Sequence, residues 1–434
     1  MSDCNNYTII EKCLLCGFPS EIVLSIGETP LANAYPSFPY PDQETFPLNL
    51  MKCTNLDCEH CQLNCIVDEN VLYSDYSYVT GDSPSNVKYF GKLVSYIEKT
   101  IVLDKENCQI LDIGSNDGTT LSFFKEAGFK NLLGIDPAEN IVELANMRGI
   151  TTICEFFNET TSNKIKRINR GISFDLITCY NCFAHTANVV SILCGVKNIL
   201  SPNGVFIFEV NNLIDILSFG SLDHFYLEHL QQYHTKAIVN LCQRNGMKVV
   251  KIDNISNQGG SLRVFVMHEL GDPEVAFLCF NKEIIEQDNI QLNLNECEDL
   301  DFKIEEAKEK VEEVKLQLKK LLSKIKNRKM AIYGAPAKLT TLVKLLDLDL
   351  AQFDYVVDDS PIKQGKYLPG SSLPIVSKER WLSPENHPDF TLIAAWNMKV
   401  QIMEDNPIKT HWILPFPYFE VVPGSLLKDY GEGE

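Results

Sequence analysis

The sequence predicts an α/β protein built from three domains. Cysteines crowd the first 65 residues, strands alternate with helices from residue 108 onwards, and a second strand–glycine–helix pattern begins near residue 330. A chain of 434 residues is longer than one hydrophobic core normally serves, so two or three domains are expected. We place them at 1–72, 73–325 and 326–434.

The composition limits the classes of function. Hydrophobic residues make up 45% of the chain, and the net charge is -19. Broad contact with nucleic acid or an anionic membrane is not expected, because phosphate groups would be repelled. No apolar run approaches the roughly 18 residues of a membrane helix, and the N-terminus lacks signal-peptide features. We therefore expect a soluble, cytoplasmic protein, in which a local basic pocket could still bind a small phosphorylated ligand.

The N-terminal cysteines are spaced like metal ligands. Zn²⁺ takes four thiolate or imidazole ligands in a tetrahedron, and paired cysteines on tight turns supply two each. Cys61 and His60 lie close enough in sequence to replace the last ligand, and reduced cysteines without a metal are the alternative. We predict a structural zinc on two pairs: Cys13 with Cys16, and Cys53 with Cys58.

The rest of the chain predicts two α/β domains. A helix is expected over 86–104, and strands over 109–114, 131–136, 174–180, 204–210 and 260–268. This alternation predicts a parallel, doubly wound sheet. A charged amphipathic helix over 303–328 is interpreted as an interdomain spacer rather than a coiled coil, because it is only about three heptads long. Its apolar residues on or near one stripe are Val311, Val314, Leu316 and Leu318.

The first predicted strand runs into a glycine-rich turn. Gly114 and Gly118 let the backbone and the electropositive start of the next helix approach a ligand. Asp136 ends the second strand, where an acidic residue can hold a ribose diol. The turn lacks the G-x-G-x-x-G of a dinucleotide site. Its carboxylates suit a cationic ligand such as S-adenosylmethionine, and a turn without any ligand is the alternative.

Further polar groups follow later strands. Asn181 and His185 come after the third strand, at the carboxyl edge where open α/β sheets bind ligands. Residues 223–229 hold two imidazoles, a phenol and two carboxylates, which suits general acid–base catalysis. In the turn over 257–263, Arg263 could grip a diphosphate or sugar hydroxyls. A solvated loop and a simple hairpin turn are the respective alternatives.

Together these motifs resemble the S-adenosylmethionine-dependent sugar C-methyltransferases, which act on nucleotide-linked 4-keto deoxysugars. The resemblance covers essentially the whole chain. It implies a zinc-binding domain with Cys58 as the fourth ligand, a Rossmann-like class I methyltransferase domain and a second Rossmann-like C-terminal domain. The motifs are Cys13-x-x-Cys16, residues 29–33 and 73–83, Gly114–Gly118, Glu155-Phe-Phe157, Asn181-x3-His185, Tyr226-x-Glu228-His229, residues 259–263, Tyr333-Gly-Ala-Pro-Ala-Lys338, Asp358, residues 363–365 and 368–370, and Ala395-Trp-Asn397.

The resemblance also implies roles for individual residues. His229 would be the base, oriented or tuned by Glu228, with Tyr226 as a proton donor or alternative base. His185 would line the sugar or steady the enolate. The expected cofactor-binding residues are Gly114, Asn116, Asp117, Gly118, Asp136, Pro137, Phe156, Phe157 and Asn181. The expected substrate-binding residues are Tyr76, Tyr78, Ser83, Asn181, His185, Arg263, Lys338 and Lys363.

Two positions depart from the family pattern. Leu227 stands where the family commonly has the first His of Tyr-His-Glu-His, and Gln258 stands at the His of His-Gly-Gly-Ser. Since the other catalytic positions are kept, methylation of the carbon next to the 4-keto group is expected, with C-3 as the first choice. Two other functions stay open. One is O- or N-methylation of a small molecule, and the other is sugar-nucleotide binding without turnover.

Overall fold

The computed structural model describes residues 6–73, 78–269, 299–406 and 410–424. Tyr76, which we predict to bind substrate, lies outside the described residues, and so does the side chain of Gln258. Among the helices that the structure describes, none combines the length and apolar character needed to cross a lipid bilayer.

The N-terminal segment is built from short antiparallel strands. The elements of this segment are β1 (Tyr7–Ile9), β2 (Ser20–Thr29), β3 (Phe46–Cys53), β4 (Cys61–Leu63), β5 (Cys65–Val67) and α1 (Glu69–Tyr73). Strand β11 (Gln231–Gln232), from far along the chain, joins the free side of β4 and completes the sheet in the order β11-β4-β3-β2. β1 pairs separately with β5.

The middle segment alternates strands and helices, as predicted. Its first helix, α2 (Pro84–Thr100), has proline at its first position and Ser83 as its N-cap. The strands are β6 (Gln109–Ile113), β7 (Asn131–Asp136), β8 (Thr152–Cys154), β9 (Phe174–Tyr180), β10 (Leu200–Asn211), β12 (Met247–Ile255) and β13 (Ser261–His268). The other helices are α3 (Thr119–Glu126), α4 (Glu139–Met147), α5 (Glu159–Ile168), α6 (Val189–Ile199), α7 (Leu213–Phe219) and α8 (Thr235–Arg244).

The middle sheet contains the predicted parallel strands and adds an antiparallel strand to them. Its described strands lie in the order β12-β13-β10-β9-β6-β7-β8. The strands from β6 to β10 are parallel, whereas β13 is antiparallel to both β10 and β12. A parallel return needs a long crossover, and only a short turn joins β12 to β13. Residues 247–255, which the sequence analysis did not assign, form β12.

The C-terminal segment carries the second predicted α/β sheet. Its described strands are β14 (Met330–Tyr333), β15 (Tyr355–Val357), β16 (Ile375–Val376), β17 (Phe390–Ile393), β18 (His411–Leu414) and β19 (Glu420–Pro423). They lie in the order β16-β15-β14-β17-β18-β19, which is the Rossmann order 3-2-1-4-5-6, and among them β19 alone runs antiparallel to its neighbour. The helices are α10 (Leu339–Leu345), α11 (Lys378–Leu382) and α12 (Lys399–Asp405).

Helix α9 (Leu300–Lys324) lies where the spacer helix was predicted. The prediction that Leu316 belongs to its apolar stripe is wrong, because Leu316 is 54% exposed. It lies two residues, or about 200°, from the buried Val314. The helix is part of a hydrophobic core that joins residues of all three segments, so it is not a free-standing spacer. The predicted domain boundaries stay a prediction. The buried residues of α9 are Leu300, Ile304, Ala307, Val311, Val314, Leu318 and Leu322.

Candidate active site and zinc centre

Four cysteines converge in the N-terminal segment. Their sulfur atoms all lie within 4.8 Å of one another, and this group consists of the predicted set Cys13, Cys16, Cys53 and Cys58. Zn–S bonds of about 2.3 Å in a tetrahedron separate sulfurs by about 3.8 Å, so the group fits one zinc ion. Cys61 lies outside the group, on β4, and His60 is buried with Nε2 2.6 Å from Gln231 Oε1.

The zinc centre is connected to the segment that contains His229. Strand β4 follows the last cysteine ligand and pairs with β11, which begins two residues after His229. Leu63 N also donates to Leu230 O at 2.8 Å. Lys236 of α8 pairs with Glu59 at 2.5 Å. Loss of the metal would therefore disturb the segment around His229 through a shared sheet.

We expect Cys16→Ser to lose its zinc and unfold the N-terminal sheet, because a structural zinc site contributes folding free energy directly. Methyl transfer should fall with it, whereas the glycine turn of the middle sheet should keep its ligand. Elemental analysis and donor-binding calorimetry would measure the two effects. Cys61→Ser is the matched control, since it changes a buried cysteine of the same sheet and should keep one zinc. A metal-free but folded Cys16→Ser protein would contradict a structural zinc.

The glycine-rich turn and Asp136 form one unit at the carboxyl edge of the middle sheet. Gly114 has φ 67°, and a Cβ there would lie 2.7 Å from Cys182 Sγ, so the turn requires glycine. Asp136 accepts hydrogen bonds from Asn116 N and Ala138 N, both at 3.0 Å. Burial raises the pKa of its carboxyl above the usual value. The turn lies between β6 and β9, where the strand order reverses, and such switch points bind ligands in open α/β sheets.

The side chains of Asn116 and Asp117 form hydrogen bonds with residues 78–81, which precede α2. Thr80 N donates to Asn116 Oδ1 at 2.8 Å, and Asn116 Nδ2 donates to Tyr78 O at 3.1 Å. Gly81 N donates to Asp117 Oδ2 at 3.0 Å. The same carboxylate pairs with Arg148 at 2.5 Å, so its charge is balanced within the chain. The segment 78–83, which contains Tyr78 and Ser83, is thereby tied to the glycine turn.

Other predicted donor-site residues differ in their surroundings. Asn181 follows β9 with φ 55° and donates from its backbone N to Glu209 O at 3.2 Å, which places it at the same sheet edge. Phe157 is buried in a hydrophobic core, where its ring lies 3.0 Å from the Cβ position of Gly195. Phe157 therefore packs within the core, and its assignment to the cofactor stays a prediction. Phe156 and Pro137 are half-buried.

His229 and Tyr226 form a hydrogen-bonded pair with a separation of 2.5 Å between Nε2 and Oη. The His229 ring also bonds the backbone of His224 in a way that favours the protonated ring, so its Nδ1–H donates to that carbonyl. Nε2 is then the acceptor and the phenol donates to it. Burial and then neighbouring imidazoles lower the pKa of His229 well below its usual range, so the ring is neutral at pH 7.

His185 lies beside this pair, and its role at the sugar or the enolate stays a prediction. Its ring centroid is 5.1 Å from that of His229 and 6.3 Å from that of Tyr73. Burial lowers the pKa of His185 to about 4, so both imidazoles are neutral. Leu227, which stands at a family His position, is buried in the core, and the Tyr226–His229 hydrogen bond forms without a histidine at that position.

Glu228 binds Asn33 of the N-terminal segment, whereas we predicted that it orients His229. Asn33 Nδ2 donates to both carboxylate oxygens, at 2.7 and 2.9 Å. Burial raises the pKa of Glu228 to about 7, although the hydrogen bonds from Asn33 act in the opposite direction. This leaves a carboxyl close to half-ionised at neutral pH on the residue that precedes His229. Asn33 was seen in the sequence only as part of a family motif.

The predicted substrate-binding cations are engaged within the chain. Arg263 Nε donates to Glu209 at 2.7 Å, and both side chains are buried. Lys338 lies 3.6 Å from Asp223 and 4.1 Å from the centre of the Trp396 ring.

Lys363 donates from Nζ to Ala335 O at 2.8 Å, and Nζ lies 3.7 Å from Asp358. The sequence signals a cation at each of these three positions but does not show its carboxylate partner. Because these charges are already balanced, they provide little free positive charge for a diphosphate.

Comparisons with known proteins match all three segments. Family models describe a zinc-binding domain over 13–73, a methyltransferase domain over 87–252 and a C-methyltransferase C-terminal domain over 256–417. The C-methyltransferase NovU of Streptomyces niveus is 30% identical over 401 residues, which cover 91% of this chain and 92% of NovU. A ubiquinone biosynthesis O-methyltransferase of Hydrogenovibrio crunogenus is 26% identical over 107 residues, 25% of this chain and 44% of that one.

Solved structures give a weaker likeness. The magnesium protoporphyrin IX methyltransferase of Synechocystis is 12% identical, with a TM-score of 0.32 over 42% of this chain and 79% of that chain. Likeness at this level has no bearing on activity. The match to NovU extends along nearly the full length of both chains. Along this chain, the three family models follow one another in the order zinc-binding domain, methyltransferase domain and C-methyltransferase C-terminal domain. The chain therefore belongs to the C-methyltransferase family that combines a zinc-binding domain, a methyltransferase domain and a C-methyltransferase C-terminal domain.

Proposed function

We propose that the protein transfers a methyl group from S-adenosylmethionine to the carbon next to the 4-keto group, C-3, of a nucleotide-linked ketosugar. The observation that carries the proposal is the Tyr226–His229 pair, at 2.5 Å, because a carbon acid needs a positioned base. O-methylation of an acidic hydroxyl would not require such a pair to remove a proton. The relationship to a C-methyltransferase supports the same reaction class.

The methyl donor would bind at the glycine turn between β6 and β9. Gly114 and Gly118 would allow close backbone approach, and Asp136 would accept hydrogen bonds from a ribose diol. S-adenosylmethionine supplies an electrophilic methyl group when bound. The chain itself binds and orients the donor, while segment 78–83 covers the turn through its bonds to Asn116 and Asp117.

The chain's own groups would move the substrate proton. The 4-keto group acidifies the proton on the adjacent carbon, and the base removes it to give an enolate. Nε2 of His229 is the proton acceptor, reached directly or through the Tyr226 phenol that donates to it. A proton taken up at Nε2 makes an imidazolium, and an ionised Glu228, the preceding residue in the chain, would stabilise that charge. His185 would steady the enolate oxygen.

A direct test uses a panel of nucleotide-linked 4-ketosugars with S-adenosylmethionine that carries a deuterated methyl group. Mass spectrometry should find the label on a sugar carbon for at least one member of the panel. In deuterated water, the α-proton of the substrate should exchange, with slower exchange in His229→Asn. Label on oxygen or nitrogen would favour the small-molecule O- or N-methyltransferase. Tight sugar-nucleotide binding without label or exchange would favour a non-catalytic binding protein.

We expect Asp136→Asn to weaken donor binding by about tenfold to a hundredfold, because one charge-assisted hydrogen bond contributes about 1.5–3 kcal/mol. Calorimetry with S-adenosylmethionine would measure it. Asp253→Asn is a suitable control, since it changes a half-buried carboxylate of the same domain that accepts from Tyr96 Oη at 2.7 Å. Unchanged affinity in Asp136→Asn would argue against this donor site.

We expect kcat/KM to rise with pH through an inflection near 7, the pKa of Glu228, since its ionised form stabilises the imidazolium. Asn33→Ala removes hydrogen bonds that favour the ionised carboxylate, so the inflection should move to higher pH. Glu228→Gln should abolish it. A pH–rate profile of the three proteins would decide, and an unchanged inflection in Glu228→Gln would assign it to another group.

A further inference from the structure

We propose that Cys179 and Cys182 are a redox-sensitive pair whose oxidation to a disulfide weakens binding of the methyl donor. The inference rests on the proposed function only for the identity of that donor. The pair lies at the carboxyl edge of β9, next to the glycine turn, and no step of the methyl transfer uses either thiol. Both cysteines are free in the structure.

The two sulfur atoms are already close to bonding distance. Sγ of Cys179 lies 2.8 Å from Sγ of Cys182, against about 2.05 Å in a disulfide. Asn181, between them, has φ 55°, and this left-handed turn brings the two side chains to the same side. Closing the bond requires a movement of about 0.8 Å, which a local turn can absorb. Cys16 and Cys53, a close pair in the zinc centre, are 3.4 Å apart.

The position of the pair links its redox state to the donor site. Cys182 Sγ lies 3.4 Å from Ile113 O and is the atom that a Cβ at Gly114 would meet. Closing the bond therefore displaces an atom that is packed against the glycine turn, and it strains the adjacent Asn181, an expected donor contact. Binding sites need their groups within about 0.5 Å of the productive geometry, so this shift is large enough to matter.

The chemistry requires an oxidant, here a peroxide. Cys182 is half-buried and is the accessible thiol, whereas Cys179 is fully buried. The Cys182 thiolate attacks the peroxide O–O bond to give a sulfenic acid and hydroxide. The Cys179 sulfur then displaces the sulfenic hydroxyl, which leaves as water once protonated. Two electrons pass to the peroxide in total, and a dithiol reductant reverses the reaction by thiol–disulfide exchange.

Thiol mapping tests whether the disulfide forms. The zinc-loaded full-length protein is treated with limiting hydrogen peroxide, free thiols are blocked, and disulfides are then reduced and labelled with a second reagent. Mass spectrometry should find the second label on Cys179 and Cys182 together, while Cys194 of the same tryptic peptide keeps the first. A zinc-chelating dye measures zinc release, so that oxidation of the zinc ligands can be distinguished from oxidation of Cys179 and Cys182. Two blocked free thiols at 179 and 182 after peroxide treatment would overturn the proposal.

Donor binding tests the consequence. Calorimetry with S-adenosylmethionine should show an affinity about tenfold lower for the oxidised protein, restored by dithiothreitol. Cys182→Ser should bind the donor like the reduced protein and lose the peroxide effect, and Cys179→Ala is a second variant with the same expectation. A disulfide that leaves donor affinity unchanged would overturn the proposal. Failure of the reduced protein to bind S-adenosylmethionine would instead contradict the proposed function.

Discussion

Replacement of His229 by asparagine is expected to lower methyl transfer by about 10²–10⁴-fold, the range for a lost general base. Asparagine can still bond the backbone of His224, but it cannot take up the substrate proton. Binding of the sugar nucleotide should change much less, because the proton moves only in the transition state. Single-turnover kinetics with calorimetry would separate the two effects.

His234→Asn is the matched control for this variant. His234 is a second buried histidine, and its pKa is lowered chiefly by burial, but it bonds Glu59 O and lies outside the Tyr226–His229 pair. It should keep turnover near the wild-type rate. Tyr226→Phe then tests the phenol. If it abolishes proton exchange while His229→Asn leaves exchange intact, the phenol is the base and the assignment to His229 is wrong.

Lys338→Met is expected to destabilise the protein by about 3–5 kcal/mol, because it leaves the carboxylate of Asp223 buried without its cation. Burial raises the pKa of Asp223 and lowers that of Lys338, so both groups depend on each other to stay charged. Trp396 Nε1 also donates to Asp223 at 2.8 Å, which makes this a contact between the middle and C-terminal segments. Denaturant unfolding followed by tryptophan fluorescence would measure the loss, since all three tryptophans lie beyond residue 380.

The double variant Asp223→Asn, Lys338→Met provides the control. It removes both charges and keeps an acceptor for Trp396, so most of the lost stability should return. A different result would support the predicted role of Lys338 in substrate binding. If Lys338→Met keeps full stability but raises KM for the sugar nucleotide, Lys338 binds the substrate and its pairing with Asp223 is secondary.

Elements with a clear local signal were predictable from the sequence. Strands β7 and β9 have the predicted bounds, because each is an apolar run that ends in a polar or aromatic residue at the sheet edge. Strand β12 was not assigned from the sequence, because its residues MKVVKIDNI mix charged with apolar side chains. This composition is typical of an edge strand that has one face exposed to solvent, and β12 lies at the edge of its sheet. The antiparallel direction of β13 follows from its short connection to β12, which becomes evident only once β12 is recognised.

The sequence predicted which residues belong to the candidate site, but not which residues form contacts with each other there. The spacing of the cysteines was enough to predict the zinc site, because all four ligands lie on two short turns. Asn33 and Glu228, by contrast, are 195 residues apart, and their contact depends on how two domains pack. The same holds for Lys338, because the sequence does not show that its buried partner is Asp223.

The addition of β11 to the N-terminal sheet affects how the protein is made. A nascent chain contains all four zinc ligands by residue 58, so metal loading can begin while the ribosome is still translating the middle domain. The outer edge of β4, however, has no partner until Gln231 and Gln232 emerge. An unpaired strand edge is a template for association with other chains. We therefore expect early synthesis to pass through a state with an exposed strand edge, and an isolated N-terminal fragment should tend to self-associate.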